Sequence, residues 1–315
     1  MAAVAGDGIE ILFFSWRRAL FGLYDIFHLH WPEGLLRRGS GPAALFSYWR
    51  VRALIMRLKR CRIPVVYTVH NVAPHEDWGD GRLNKVVHGF EALTRAEIHL
   101  VPEPDRKPVA PAAVIPHGNY HEAFAPHPRL EMEAGRCLFF GLIRPYKGVE
   151  ELVSAFDELD DNSASLRIVG KVMDNRLREA IVRSTQRDGR VTARFGFVSD
   201  AELVGEVSQS QLVILPYRNL HSSGVAIVAL SLSRPILVPD SATTRALRDE
   251  VGSEWVQIFT PPVSADDIHR ALQVVGDTPR DSSPDLSARS WEKIRYEHAK
   301  LYRAVLDRPT SSKIL

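Results

Sequence analysis

Arg144 and Lys147 stand in Phe139-Phe140-Gly141-Leu142-Ile143-Arg144-Pro145-Tyr146-Lys147-Gly148, between an apolar run and a helical pattern. A guanidinium grips two phosphate oxygens in a fork, an ammonium supplies a compact charge, and a helix start adds free amides, so the segment reads as an anion site. A solvated basic loop is the plainer alternative; the strand-to-helix setting argues against it. Ser222, Ser223 and Gly224 sit at another predicted helix start, where hydroxyls and amides either bind phosphate or simply cap the helix. Glu33, His70, His75 and Glu76 each follow a predicted strand, and carboxylates or imidazoles in that place can move a proton.

Other chemistries are poorly served. His28, His30, His70, His75, His117 and His121 form neither an HExxH pattern nor a Cys/His quartet, and no DxD dyad is present, so no metal is expected. Cys61 and Cys137, the only cysteines, lie outside any CxxC pair and read as small apolar core residues in a reducing cytoplasm. The absence of GxGxxG after any strand speaks against a dinucleotide-dependent oxidoreductase.

The elements that must position these groups follow from patterning. With 315 residues, 45% hydrophobic and 25% charged, the chain has the length and composition of about two globular domains, and a net charge of +2 is too small for a nucleic-acid binder. No apolar run approaches roughly 18 residues and no signal-peptide pattern opens the chain, so neither a spanning helix nor a cleaved leader is expected. Short β-branched runs alternate with helical patterns, the signature of parallel α/β architecture. Strands are predicted at Ile9–Phe14, Ile26–Leu29, Val65–Val69, Ile98–Val101 and Ala113–Ile115, with helices over Tyr48–Arg60 and Asn84–Ala96. Further strands are predicted at Arg136–Phe140, Ser165–Val169, Val191–Phe195, Leu212–Leu215, Ile236–Val238 and Trp255–Phe259. Helices are predicted at Gly148–Leu159, Asp174–Arg187, Asp200–Ser208, Val225–Ser233 and Ala265–Gly276, and a last one over Ser290–Leu306. Pro116–Pro128 reads as a hinge. The division expected is 1–130, 131–288, and a closing helix over 289–315 returning toward the N-terminal domain.

The Arg144 and Lys147 segment resembles the phosphate motif in the C-terminal domain of family 4 glycosyltransferases. Ile168-Val169-Gly170-Lys171, Arg194-Phe195-Gly196-Phe197-Val198-Ser199-Asp200 and Leu212-Val213-Ile214-Leu215-Pro216-Tyr217 are similar to that family in order and spacing. Ile115-Pro116-His117-Gly118-Asn119 resembles its interdomain segment. The resemblance implies an α/β chain of the GT-B fold, two Rossmann-like doubly wound domains facing a cleft, the N-terminal one taking the acceptor and the C-terminal one the nucleotide sugar. It implies that Arg144 and Lys147 bind the donor diphosphate, that Gly196, Phe197 and Val198 lie against the nucleotide base, and that His70 contacts the transferred sugar.

One departure matters. Family 4 carries a pair of glutamates where this chain has Leu220 and Val228. With His28-Leu29-His30-Trp31-Pro32-Glu33 and Tyr67-Thr68-Val69-His70-Asn71, that departure is similar to bacterial exopolysaccharide mannosyltransferases that form β-mannosyl linkages on polyprenyl-linked glycans. That resemblance implies mannose transfer from GDP-mannose to a glycan or lipid-linked acceptor, with inversion and without metal or other cofactor. Inversion needs a proton acceptor, and Glu33 and Glu76 are the candidates by type. Two other expectations stay open: a retaining family 4 enzyme using a donor such as UDP-glucose, and a non-catalytic nucleotide-sugar-binding subunit. Finally, Arg37 to Arg62 carries eight basic residues and no acidic one, interleaved with Phe46, Tyr48, Trp49 and Met56. A basic helix with aromatics is expected to meet an anionic membrane face from the cytoplasmic side; a solvated outer helix is the alternative.

Overall fold

A computed structural model describes residues 6, 8–70, 81–102, 107–218, 220, 224–276 and 282–307. The chain divides into two compact units, Met1–His117 with Arg289–Leu315, and Gly118–Ala288.

The first unit is built on a parallel sheet of four strands in chain order: β1 (Phe27–Leu29), β2 (Val65–Val69), β3 (Thr94–His99) and β4 (Ala112–Val114). Helix α1 (Trp16–Phe21) starts at Ser15, whose side chain accepts from the Arg18 amide. Helix α2 (Pro42–Arg60) opens with proline at its first turn, where no amide is needed, and buries Ala44, Ser47, Val51, Leu54 and Leu58, a single stripe at helical spacing. Helix α3 (Arg82–Glu91) adds Leu83, Val86 and Phe90 to the same side. The closing helix, Trp291–Asp307, places Ile294, Tyr302 and Val305 in a cluster with Val66, Ala96, Ile98 and Ile115, and so belongs to this unit.

Three local expectations change. Ile9–Phe14 forms no strand beyond an Ile9–Gly6 bridge; Ile9 and Ile11 pack inward while Leu12, Phe13 and Phe14 stay exposed, because no neighbouring strand offers them a ladder. The helix expected to reach Ala96 ends at Glu91, where the Thr94 hydroxyl donates to the Phe90 carbonyl and the chain turns into β3 beside β2. The passage between units comes at His117, ahead of residue 130, because helix α4 (His121–Phe124) already seats Phe124 in the second core.

The second unit has six parallel strands: β5 (Arg136–Phe140), β6 (Ser165–Gly170), β7 (Val191–Phe195), β8 (Leu212–Ile214), β9 (Ile236–Pro239) and β10 (Val256–Phe259). Their order is β10-β9-β8-β5-β6-β7. Helices α5 (Val149–Asp157), α6 (Asn175–Arg187), α7 (Asp200–Gln209), α8 (Gly224–Ser231), α9 (Ala242–Val251) and α10 (Ala265–Gly276) make the crossovers. Strands covered on both faces are almost wholly apolar, as β9 with all four residues buried shows. Ser199 and Glu202 form a reciprocal cap on α7. Ser241 and Thr244 do the same on α9, a helix with no counterpart in the sequence reading.

The chain winds outward from β5 to β7, then returns to β8 and winds the other way. The carboxyl ends of β5 and β8 therefore flank a topological switch point, where open α/β sheets bind ligands. At that edge β5, β6 and β7 end on Gly141, Gly170 and Gly196, with φ of +114°, +149° and +129°. A Cβ on Gly170 would stand 1.8 Å from the Gly141 carbonyl oxygen, which no side chain survives without backbone movement. Gly170→Ala is expected to destabilise the protein by on the order of 3 kcal/mol in urea unfolding followed by circular dichroism. Gly189→Ala, with nothing within 4 Å of the added carbon, should change stability by less than about 0.5 kcal/mol in the same measurement.

Candidate functional site

Beyond β5 the chain passes through Gly141 into a short 3-10 turn, Pro145–Lys147, and re-enters a helix at Gly148. Gly148 is left-handed at φ +67°, and a Cβ there would fall 2.0 Å from the Pro216 carbonyl oxygen on the loop after β8. Glycine at this place is what lets the β5 and β8 loops touch. The contact turns Lys147 inward: its side chain is 8% exposed, and its Nζ lies 4.8 Å from the centre of the buried Tyr217 ring. Among the described residues the ammonium has a π face beside it and no carboxylate.

Burial, followed by repulsion from the half-buried Arg144, lowers the Lys147 pKa to about 8. A shift of that size corresponds to roughly 3 kcal/mol of disfavour for the charged form, which a bound anion would relieve. The position of a Cβ on Gly141 would be 3.8 Å from Lys147 Nζ and 3.7 Å from Val225 at the start of α8, so the amino end of α8 meets the same spot. Gly224 opens that helix beside the Tyr120 hydroxyl. Ser222 and Ser223 lie outside the described residues.

Other expected donor residues fall on the same edge. The Gly196 amide donates to the Gly170 carbonyl at 3.0 Å, tying the end of β7 to that of β6. Phe197 projects into solvent at 87% exposure, while Val198 packs against the core. Leu220 and Val228, standing where family 4 has glutamates, are both buried members of that core. Arg218 is turned aside by Glu151, 2.5 Å from its guanidinium. The switch point thus holds Arg144 and Lys147, with no acidic side chain paired to Lys147 among the described residues. Tyr217 is the residue the sequence reading passed over; its sequence signal is that it immediately follows the Pro216 that Gly148 abuts.

In the first unit, the carboxyl ends of β1 and β2 gather a different chemistry. His28 Nδ1 lies 2.6 Å from the Tyr302 hydroxyl and Nε2 lies 2.7 Å from the Thr68 hydroxyl. Burial holds the Tyr302 pKa up, so the phenol stays protonated, and either hydroxyl can donate to or accept from the neutral His28 ring according to its tautomer. His28 stacks on His30 at 4.4 Å, and His30 Nδ1 shares a hydrogen with His70 Nε2 at 2.9 Å. His70 in turn stacks under Trp31 at 4.3 Å and 15°. Burial first, then the neighbouring imidazoles, holds His28 well below its ordinary pKa; burial is also the main cause that lowers His30 to about 4 and His70 to about 3. His117 and His298 are lowered as well, mainly by burial.

Glu33 sits in the 3-10 turn Pro32–Leu35 that follows β1, half-buried, its carboxylate without a hydrogen bond or ion pair among the described residues. His75 and Glu76 lie outside the described residues. Among those described, no group of three His, Cys, Asp or Glu side chains is arranged to hold a metal; the histidines bond and stack with one another instead.

Residues 134–277 match the family of glycosyl transferases group 1. Two proteins of Xanthomonas campestris pv. campestris, each named GDP-mannose:glycolipid 4-beta-D-mannosyltransferase, are 40% and 39% identical over 301 residues, or 95% of this chain and 85% of theirs. Sucrose-phosphate synthase from Thermosynechococcus elongatus superposes with a TM-score of 0.61 at 19% identity, over 91% of this chain and 75% of that one. The α,α-trehalose 6-phosphate synthase of Burkholderia multivorans does so with a TM-score of 0.61 at 15% identity, over 89% and 72%. These two likenesses speak to the fold, which is GT-B.

The buried charge has a measurable signature. Lys147 keeps its proton up to about pH 10.5 when unfolded and only to about 8 when folded, so the native state is penalised below pH 8 and gains stability as pH rises from 8 toward 10.5. Lys147→Met should therefore be more stable than the parent at pH 7 by up to about 3 kcal/mol, a margin that narrows above pH 8 in urea titrations at several pH values.

Proposed function

Because the chain belongs to the group 1 glycosyltransferases and is a GT-B glycosyltransferase, we propose that it transfers mannose from GDP-mannose to a glycolipid acceptor, forming a β linkage with inversion. The observation that carries this reading is the cation pair at the switch point: Lys147 buried against Tyr217 beside Arg144, with Leu220 and Val228 where a retaining relative would place carboxylates. The names of the Xanthomonas campestris pv. campestris relatives support the donor and the acceptor class.

In the proposed reaction the acceptor hydroxyl attacks the anomeric carbon of an α-linked donor as the bond to the GDP oxygen breaks. Negative charge grows on the leaving diphosphate. Arg144 and Lys147 neutralise it, helped by the positive end of α8 and without a metal. Gly196, Phe197 and Val198 take the nucleotide base, with Phe197 already exposed for stacking. The acceptor proton passes to a carboxylate of the first unit, Glu33 or Glu76. No second carboxylate is needed in the donor unit, in keeping with a single displacement.

A lipid-linked acceptor requires a way onto its membrane. No helix among the described residues is long and apolar enough to cross a bilayer. Phe13, Phe14, Phe21 and Leu23 flank or end α1, and Phe46 and Trp49 lie on the outer face of α2; each is half or more exposed. Arg50 lies over the Trp16 ring at 3.9 Å, joining the two helices. Exposed aromatics among arginines suit the headgroup region of an anionic cytoplasmic leaflet, and we place peripheral contact there. The expected basic helix over 37–62 is thus one half of a surface whose other half is Phe13 to Leu23.

Incubation with GDP-mannose and a membrane glycolipid fraction in the presence of EDTA should give a β-mannosyl product by NMR. Arg144→Ala should weaken GDP binding by at least about tenfold in calorimetry, since a charge-assisted contact is worth about 1.5–3 kcal/mol. An α-linked product, or unchanged GDP affinity in that variant, overturns the reading. The double variant Phe46→Ser, Trp49→Ser should bind phosphatidylglycerol vesicles on the order of tenfold more weakly in sedimentation assays, with GDP affinity preserved.

A further inference from the structure

Trp31 is a large aromatic side chain left 45% exposed at the carboxyl end of β1. It is not a stray apolar residue. One face of its indole is backed by His70 at 4.3 Å, nearly parallel. His70 is fixed in turn by the 2.9 Å bond between its Nε2 and His30 Nδ1, and His30 is stacked on His28. His28 is clamped between the hydroxyls of Tyr302 and Thr68. A chain of ring contacts therefore runs from the sheet out to Trp31 and holds its plane in one orientation. Such pre-ordering is wasted on a side chain that only meets water, and it is what a flat ligand face requires.

The surroundings narrow the ligand. Burial first, and neighbouring imidazoles after it, disfavour the charged form of His30 and His70 beneath Trp31, so the cluster offers an anion no attraction. Two residues beyond Trp31, on the same 3-10 turn, stands the Glu33 carboxylate, which has no partner among the described residues and would repel a phosphate. Pro32 is buried between them and the Gly34 amide donates to the Trp31 carbonyl at 3.0 Å, which keeps the turn in place. A rigid aromatic face beside a carboxylate, over an uncharged support, suits a neutral polyol with an apolar C–H face. A pyranose ring has that form: its axial C–H bonds lie on an aromatic plane while its hydroxyls reach an acceptor at the edge.

We propose that Trp31, backed by His70 and flanked by Glu33, is a pyranose-binding subsite of the first unit that seats a sugar ring of the acceptor glycan. The assignment rests on the glycosyltransferase reading above and adds to it the place where acceptor sugar is recognised. The indole covers the C–H face, and the Glu33 carboxylate accepts a hydrogen bond from a ring hydroxyl. His30 and His70 are positioning residues that hold the indole plane.

The test is saturation-transfer NMR of the full chain with methyl α-D-mannoside and methyl β-D-glucoside, alongside calorimetry with GDP on the same samples. Transfer to the ring C–H protons of at least one glycoside is expected in the parent. Binding should weaken by about tenfold in Trp31→Ala, recover in Trp31→Phe and weaken in Glu33→Gln, while GDP affinity stays unchanged in all three variants. No transfer in the parent, or transfer unaffected by Trp31→Ala, overturns the subsite while GDP binding leaves the glycosyltransferase reading standing; loss of GDP binding in the parent strikes that reading instead. If Trp31→Ala keeps the glycoside signal and loses phosphatidylglycerol vesicle binding, Trp31 is a lipid contact and the proposal fails.

Discussion

Lys147 carries a positive charge into a place that water barely reaches, and much of the second unit is arranged around that fact. A lone ammonium in the switch-point crevice is disfavoured, as its pKa near 8 records. It stays there because Gly148 and Pro216 lock the β5 and β8 loops together, and because the Tyr217 ring offers a compensation that does not neutralise it. A carboxylate partner would make the charge comfortable and make it useless for binding another anion. The discomfort is the functional property: the group is best satisfied by something negative that arrives from outside. Strain of this kind belongs with ligand sites, where stability is given up for readiness.

The same economy explains what surrounds the lysine. Glu151 stands at the first turn of α5, close enough in sequence to be a natural partner for Lys147, yet it reaches out to Arg218 instead. Leu220 and Val228 fill the core where acidic residues would draw on the same two cations. Among the described residues Lys147 consequently faces a ligand with no carboxylate drawing on its charge, and Arg144 stands beside it. That arrangement suits a chemistry in which the departing group is a diphosphate and its neutralisation is the main catalytic demand.

The second unit was legible from sequence because local and tertiary demands agree there. Its strands are near-continuous apolar runs, its helix starts carry Ser199 or Asp174, and two of its turns fall on glycines, Gly148 and Gly170, where an added Cβ would meet backbone. The first unit was harder. Ile9 to Phe14 looks like a strand by composition, but composition cannot tell a sheet position from an exposed apolar surface, and here part of it is surface. The helix after Arg82 was read too long because Thr94 to Ala96 suits either state until β2 supplies a neighbour. Of the site, Arg144 and Lys147 were readable from type and context, whereas Tyr217 and Trp31 were not: a ring above a lysine, or an indole upon a histidine, is a contact between residues far apart in the chain.

The two units divide their electrostatics in a way that matches two kinds of ligand. The second presents cations at its switch point and keeps carboxylates away from Lys147. The first presents neutral imidazoles, an aromatic face and a carboxylate that has no partner among the described residues, at the ends of β1 and β2. A histidine cluster kept uncharged mainly by burial contributes no field to compete for a diphosphate, and the Glu33 carboxylate would repel one. In the proposed reading each substrate class is drawn to one unit by what that unit offers and turned from the other by what it lacks. Specificity then comes as much from refusal as from attraction, which is how a transferase handling a highly charged donor and a mostly neutral acceptor can keep the two in their own places.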